Sequence, residues 1–274
     1  MHGHDTAQRA LGALATRQPA VVIHVAARRG IAVPPVGVRA VYTPDQGLAG
    51  TLGDPSLDRA VVAAAPSALA AGEARTLIMA PDGRAASRRD AAYLEVFFDP
   101  VIPTPHLVIV GAGHVAQPLA VMAPLLGFRT TVIDDRADYA SPERFPSVDT
   151  LIAAPIGPAL AQLAIDQETY LVLVTRGHRF DEEALRRVLA SPAPYVGMIG
   201  SRRRVHLVCQ KLRSDGFPPD AFRRLYAPIG LDLGARTPAE IALAIAGELV
   251  NVRRGGRAPH LSLAELRAGG ADRA

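Results

Sequence analysis

The chain of 274 residues is long enough for one large domain or two ordinary ones, and 49% of it is hydrophobic. Its formal charge of +4 comes from scattered arginines, with no tryptophan, so neither a basic stripe nor a stacking platform speaks for nucleic acid. A single cysteine, Cys209, excludes an internal disulfide and a cysteine-only metal cluster. The opening "MHGHDTAQRALGALATRQ" lacks the basic-then-apolar layout of a signal peptide. The most apolar window, Leu107 to Phe128, is interrupted by Gly, His and Pro, so a soluble cytoplasmic protein with no membrane partner is expected.

In chain order, Ala20 to Ala26 predicts a strand, and "VRAVYT" with "GLAGTLG" predicts a hairpin turning at Pro44–Gly47. "SLDRAVVAAAPSALAAG" has helical propensity up to Pro66. "TLIMAPDGR" predicts a strand ending in a Pro-Asp-Gly turn, and "YLEVFFDP" one that Pro100 stops. Together these form a small α+β domain over residues 1–99. Pro100, Pro103 and Pro105 stiffen residues 100–105 into a linker.

From residue 106 to 256 the rhythm changes to apolar strands alternating with helices. The strands are "LVIV", "RTTVID", "YLVLVT" and "YVGMIG"; "DRADYASPERFPSVDTLIAA" is a break, with the short helix "PALAQLAI" after it. Such alternation predicts a doubly wound parallel sheet of Rossmann type, giving an α/β protein overall. In "TPAEIALAIAGELV", Thr237 is a ready N-cap, Pro238 suits the first helical position and Glu240 completes a capping box. Residues 257–274 form a loose tail.

Chemistry gathers where those strands end. Gly111-x-Gly113-x-x-Ala116 follows an apolar strand and opens a helix, and Asp134 lies about twenty residues on, as a dinucleotide-binding fingerprint requires. Gly111 allows the tight turn, Gly113 lets a pyrophosphate approach backbone N–H groups with His114 and Val115, and Ala116 permits close packing. Asp134 or Asp135 is placed to take a ribose hydroxyl. "VTRGHRFD" brings Thr175, Arg176 and His178 to another strand end: Arg176 suits phosphate and His178 a base, whereas Asp181 predicts an N-cap. "MIGSRRR" adds Gly200, Ser201 and Arg202, with Ser201 either an N-cap or an anion ligand. Gly230, Asp232 and Gly234 in "APIGLDLGARTPAEIA" either face a ligand or lead into the last helix. His206 and Cys209, three apart on one helix, are expected to pack.

"VIVGAGHVAQPLA", "VIDDR", "VTRGH", "YVGMIGSRRR" and "APIGLDLGARTPAEIA", in that order, resemble the xanthine dehydrogenase accessory factor family, XdhC/CoxI. "LAGTLGDPSLDRAV" and "YLEVFFDP" resemble its N-terminal domain more loosely. The resemblance implies a maturation factor that binds the molybdenum cofactor, molybdopterin in free or dinucleotide form. Such a factor protects the cofactor during sulfuration and hands it to a molybdenum hydroxylase apoenzyme of the xanthine or aldehyde dehydrogenase type. It also implies a homodimer and contact with a cysteine desulfurase.

The family's Gly-rich cysteine segment here reads "GTLGDPSLD", and its second cysteine stretch reads "SRRDAAYLEVFF". Both thiols are missing, and Asp54 and Ser56 are hard oxygen groups where a soft ligand would suit molybdenum. Cys209, in the other domain, is no assumed substitute. Two other readings remain: an NAD(P)-dependent oxidoreductase, and a non-catalytic partner subunit of the hydroxylase. Against the first, no Tyr-x-x-x-Lys pair follows the fingerprint, and Lys211 sits late in a helix.

Overall fold

A computed structural model describes residues 3–31 and 34–258, the side chains of residues 3–5 and 178 excepted. The expected tail therefore falls outside the described residues from 259 onward. The chain divides into two compact units, Met1–Pro103 and Thr104–Ala274.

The first unit is an antiparallel sheet with two helices. Its strands are β1 (Ala20–Arg29), β2 (Arg39–Thr43), β3 (Gly47–Gly50), β4 (Arg75–Met79) and β5 (Tyr93–Val101), in the order β3-β2-β1-β5-β4. Alternation along β1 sends Val21, Ile23 and Val25 to one face, where Leu57, Val61 and Ala65 of α2 (Pro55–Ala71) cover them. Ala20 points the other way and clusters with Val41 and with Ala13 of α1 (Gly3–Ala15). The expected hairpin forms, with β2 and β3 in register from Thr43↔Gly47 to Ala40↔Gly50.

Two prolines do less than expected. Helix α2 runs through Pro66 to Ala71, because Pro66 is exposed while the buried stripe Leu57, Val61, Ala65 and Ala68 continues on both sides of it. Burial outweighs the local cost of the proline. Strand β5 likewise passes Pro100, which pairs with Val21 but lies beyond Phe98, the last residue paired with β4. There the strand has one partner and tolerates a residue without an N–H.

The second unit is a six-stranded parallel sheet: β6 (His106–Val110), β7 (Arg129–Asp134), β8 (Thr150–Ala153), β9 (Thr169–Leu173), β10 (Tyr195–Met198) and β11 (Leu225–Tyr226). The order β11-β10-β9-β6-β7-β8 is that of a doubly wound Rossmann sheet, reversing direction between β6 and β9. Strands β6 and β9 are buried throughout, as strands covered on both faces must be. Leu107 and Ile109 pack with α3 (Ala116–Leu125) and α7 (Pro238–Arg254). Val108 and Val110 pack with α4 (Ile156–Ala161), α5 (His178–Val188) and α6 (Arg202–Ser214). The predicted capping box of α7 is present, with Thr237 accepting from the Glu240 N–H and the Glu240 carboxylate accepting in return.

The expected break before α4 contains β8, an edge strand of four residues too short and too half-buried to show as an apolar run. No helix among the described residues is long and apolar enough to cross a membrane.

Candidate functional site

The parallel sheet brings the predicted residues to one edge. Gly111–Val115 follow β6, Asp134 and Asp135 close β7, Thr175–His178 follow β9, Gly200–Arg202 follow β10, and Gly230–Gly234 lie beyond β11. In open parallel sheets ligands bind beyond such carboxyl ends, at the reversal point, here between β6 and β9.

The two glycines of the first turn differ in kind. Gly111 has φ +103°, and a Cβ there would stand 2.6 Å from the Val174 carbonyl oxygen and 3.0 Å from the Thr175 Cα. Both its backbone and its packing demand glycine. Gly113 has neither demand: its φ is ordinary and a Cβ would meet nothing within 4 Å. The open space lies at the start of α3, whose capping position, Val115, supplies no side-chain hydrogen bond. Among the described residues the N–H groups of Gly113, His114 and Val115 have no hydrogen-bond partner. Three unpaired donors at a helix N-terminus, with room in front of them, have the geometry of a cradle for an anion. Ala116 is fully buried against the sheet, which fixes the helix close to it.

Asp134 is buried beneath this turn and accepts the Ala112 N–H at 2.8 Å. It also accepts from the Arg136 N–H at 3.1 Å and the Arg136 guanidinium at 2.8 and 3.0 Å, and Arg176 lies 3.9 Å away. Burial alone would raise its pKa, but the Arg136 guanidinium and the two N–H donors outweigh burial and hold it at about 2. The carboxylate is thereby committed to shaping the turn. Arg136 also stacks on Tyr139, 3.4 Å from the ring centroid, and Arg144 lies over the same ring while donating to the Ala112 carbonyl at 3.2 Å.

Asp135 is paired with Arg176 through two hydrogen bonds of 2.9 and 2.8 Å, and the guanidinium stacks 4.4 Å from the Phe180 centroid. Thr175 donates to Asp181 Oδ1 at 2.5 Å. The expectation that Asp181 caps α5 is corrected: Gly177 is the N-cap, and Asp181 lies wholly buried inside the helix, ion-paired with Arg204. His178 opens α5, and its side chain lies outside the described residues. Ser201 caps α6 by accepting the Arg204 N–H. Arg176, Ser201, Arg203, Arg204 and Lys211, with Glu182 paired to Lys211, line a cleft of about 540 Å³. On α6, His206 is exposed rather than packed, because it faces away from the buried Val208 and Leu212. Cys209 is half-buried, and burial raises its thiol pKa.

Gly200, Arg202, Gly230, Asp232 and Gly234 line a second cleft of about 510 Å³, walled by Ile199, Ile229, Leu231 and Ile241. Gly230 has φ +96° and donates its N–H to the buried Glu248 of α7 at 3.0 Å. Glu248 also accepts from the Tyr195 hydroxyl at 2.6 Å, and the Leu231 N–H reaches the Ala244 carbonyl. Burial, reinforced by Glu248, raises the Tyr195 pKa well above its ordinary value. Neither cleft is lined by Gly111 or Gly113.

Residues 107–249 match the family described as the XdhC Rossmann domain, and residues 13–79 match the XdhC and CoxI family. The chain belongs to the XdhC/CoxI family. It is 34% identical to the uncharacterized protein YqeB of Escherichia coli over 213 residues, which are 76% of this chain and 39% of YqeB. It is 31% identical over 159 residues to a probable xanthine dehydrogenase subunit of Bacillus subtilis, covering 58% of this chain and 46% of that protein. It is 26% identical over the same length to the molybdenum cofactor insertion chaperone PaoD of E. coli, covering 58% and 42%. The chain thus spans less than half the length of each of these relatives. A crystal structure described as a xanthine dehydrogenase from Bacillus halodurans shares the fold, with TM-score 0.52, 19% identity, and coverage of 94% of this chain and 98% of that one.

At the turn Thr51–Ser56, where the resemblance leads one to expect a cysteine, the oxygen groups are occupied. Asp54 caps α2 by accepting from the Ser56 and Leu57 N–H groups at 2.7 and 3.1 Å. Asp58 accepts from the Thr51 hydroxyl and the Leu52 N–H, while the Ser56 hydroxyl accepts from Arg59. Asp181, Glu248, Tyr195 and Arg144 were not visible as site-shaping residues in the sequence, since each acts on a partner 6 to 53 positions away. A polar residue in an otherwise apolar helix face, as at Glu248 among Ile245, Ala246 and Leu249, is a sequence signal that could have found Glu248.

Proposed function

We propose that this chain is an accessory factor for a molybdenum hydroxylase, holding the molybdenum cofactor by its phosphate at the Gly113–Val115 cradle. The observation that carries the reading is the second glycine: nothing in the protein's own backbone or packing requires Gly113, and three N–H donors beside it are unpaired. A phosphate at that position accepts from those groups and benefits from the positive end of α3. Molybdopterin carries such a phosphate, and its dithiolene would bring the molybdenum with it, so the residues present fit the group without a protein thiol. The name of PaoD supports a role in cofactor insertion, and that of the B. subtilis relative supports association with a xanthine dehydrogenase, so a hydroxylase apoenzyme is the proposed recipient.

The pterin would extend from the cradle toward the clefts beyond β10 and β11, where Arg202, Asp232 and Gly200 stand. The NAD(P) alternative is weakened at Asp134, whose buried carboxylate is committed to Ala112 and Arg136 and does not stand free for a ribose.

Mass spectrometry of ligand released from protein purified out of a molybdopterin-producing host tests the reading. A pterin phosphate is expected, and Gly113→Val should lower its occupancy about tenfold or more by filling the space through which the phosphate reaches the N–H donors. Recovery of a nicotinamide nucleotide would replace the proposal with the oxidoreductase reading.

A further inference from the structure

Strand β6 lies between β7 and β9, so the residues that follow β7 and β9 are separated by two strand spacings, roughly 10 Å. Asp135 follows one and Arg176 follows the other, yet their side chains meet through two hydrogen bonds of 2.9 and 2.8 Å. The pair therefore crosses the edge where the Gly111–Gly113 turn emerges, and the turn abuts the same segment through Gly111 and Thr175. We propose that Asp135 is an internal stand-in for the ligand's phosphate: its carboxylate occupies the guanidinium of Arg176, and an incoming phosphate group displaces it. The inference rests on the anion cradle described above and adds a selecting element to it.

Three features suit exchange. A carboxylate and a phosphate offer the same bidentate geometry to a guanidinium, so Arg176 can pass from one to the other without reorienting. Arg176 does not depend on Asp135 for its position, because Phe180 stacks beneath it and Asp134 lies 3.9 Å away. The pair is half-exposed, with side chains 41% and 28% accessible, so the released Asp135 enters water and the bond given up is weak. The device favours ligands by charge. A phosphate carrying close to two negative charges outcompetes one carboxylate, whereas a monocarboxylate ligand gains nothing by the exchange. The same strap excludes weak anions from the edge when no cofactor is present.

Calorimetric titration of the full chain with inorganic pyrophosphate at low salt tests this. Asp135→Asn should tighten pyrophosphate about three- to tenfold by removing a competitor and a repelling charge. Arg176→Gln should weaken it, and in the Asp135→Asn/Arg176→Gln double variant the gain from Asp135→Asn should largely vanish. Acetate should not bind wild type measurably, and Asp135→Asn should admit it more readily than wild type does, because no strap then excludes a weak anion. Asp135→Ser serves if Asp135→Asn does not fold, with thermal melting as the check. Unchanged or weaker binding in both Asp135 variants overturns the inference. Gly113→Val separates the two ideas: if it abolishes pyrophosphate binding while Asp135→Asn changes nothing, the cradle stands and the strap falls. If Gly113→Val binds like wild type, the cradle itself is wrong. Binding by neither wild type nor Asp135→Asn overturns both.

Discussion

Two of the glycine-containing turns that lead into helices, those before α2 and α3, end differently. At Thr51–Ser56, the N–H groups of Leu52, Gly53, Ser56 and Leu57 are all taken by side-chain oxygens of Thr51, Asp54 and Asp58. At Gly111–Val115, one N–H is taken by Asp134, another by the Ile133 carbonyl, and the last three are left open. A helix start that satisfies its own donors is finished as structure. One that leaves them unpaired around an unneeded glycine has donors to offer an anion, which is the role proposed for it above. The cysteine-free turn of the first unit is of the former kind, so its aspartates act as caps and not as stand-ins for a thiol.

The comparison breaks most visibly at Gly111. Gly111→Ala forces a Cβ against the Val174 carbonyl at an unfavourable φ and should cost about 3 kcal/mol, measured as a lowered denaturation midpoint. Gly113→Ala, by contrast, should stay within about 0.5 kcal/mol of wild type, because its Cβ enters open space. Equal losses at the two glycines would make the turn purely structural.

Acid sharpens the same contrast. The Asp134 pKa of about 2 lies below its unfolded value near 3.9, so the folded state is favoured by deprotonation. Its contribution, about 2 kcal/mol, is full above pH 4 and is lost as the pH falls from about 4 to 2. Asp134→Asn should lower stability at neutral pH and flatten that acid limb in urea titrations followed from pH 6 to 2. A smaller loss is expected at the closed turn: Asp54→Ala removes a cap and should cost about 1 kcal/mol without altering pyrophosphate affinity. A matching loss of affinity would tie the first unit's turn to the ligand.

Much of the parallel sheet was legible because its strands are uninterrupted apolar runs and its helices begin at recognisable caps, as Thr237 and Glu240 show. The placement of Gly111, Gly113 and Ala116 was legible because the turn is encoded by neighbours in the chain. Where the reading failed, a local rule met a distant partner. Pro66 and Pro100 end elements by local propensity, but a buried helix stripe and a one-sided strand pairing carry both elements past them. Asp181 reads as a cap, yet Arg204 and Thr175 draw it into the interior. Strand β8 is four residues that exist as a strand only because β7 offers an edge.

The sequence by itself determined the alternation of elements, the glycine turn and the family, all of which reside in patterns a few residues long. Only the tertiary structure decided which glycine is needed by the protein and which leaves room for something else. It also decided which carboxylates are free, since Asp134, Asp135 and Glu248 find their partners across strands and helices. The physical reason is the same in each case: hydrogen-bond capacity and empty space are set by what packs nearby, and chain neighbours supply only part of that.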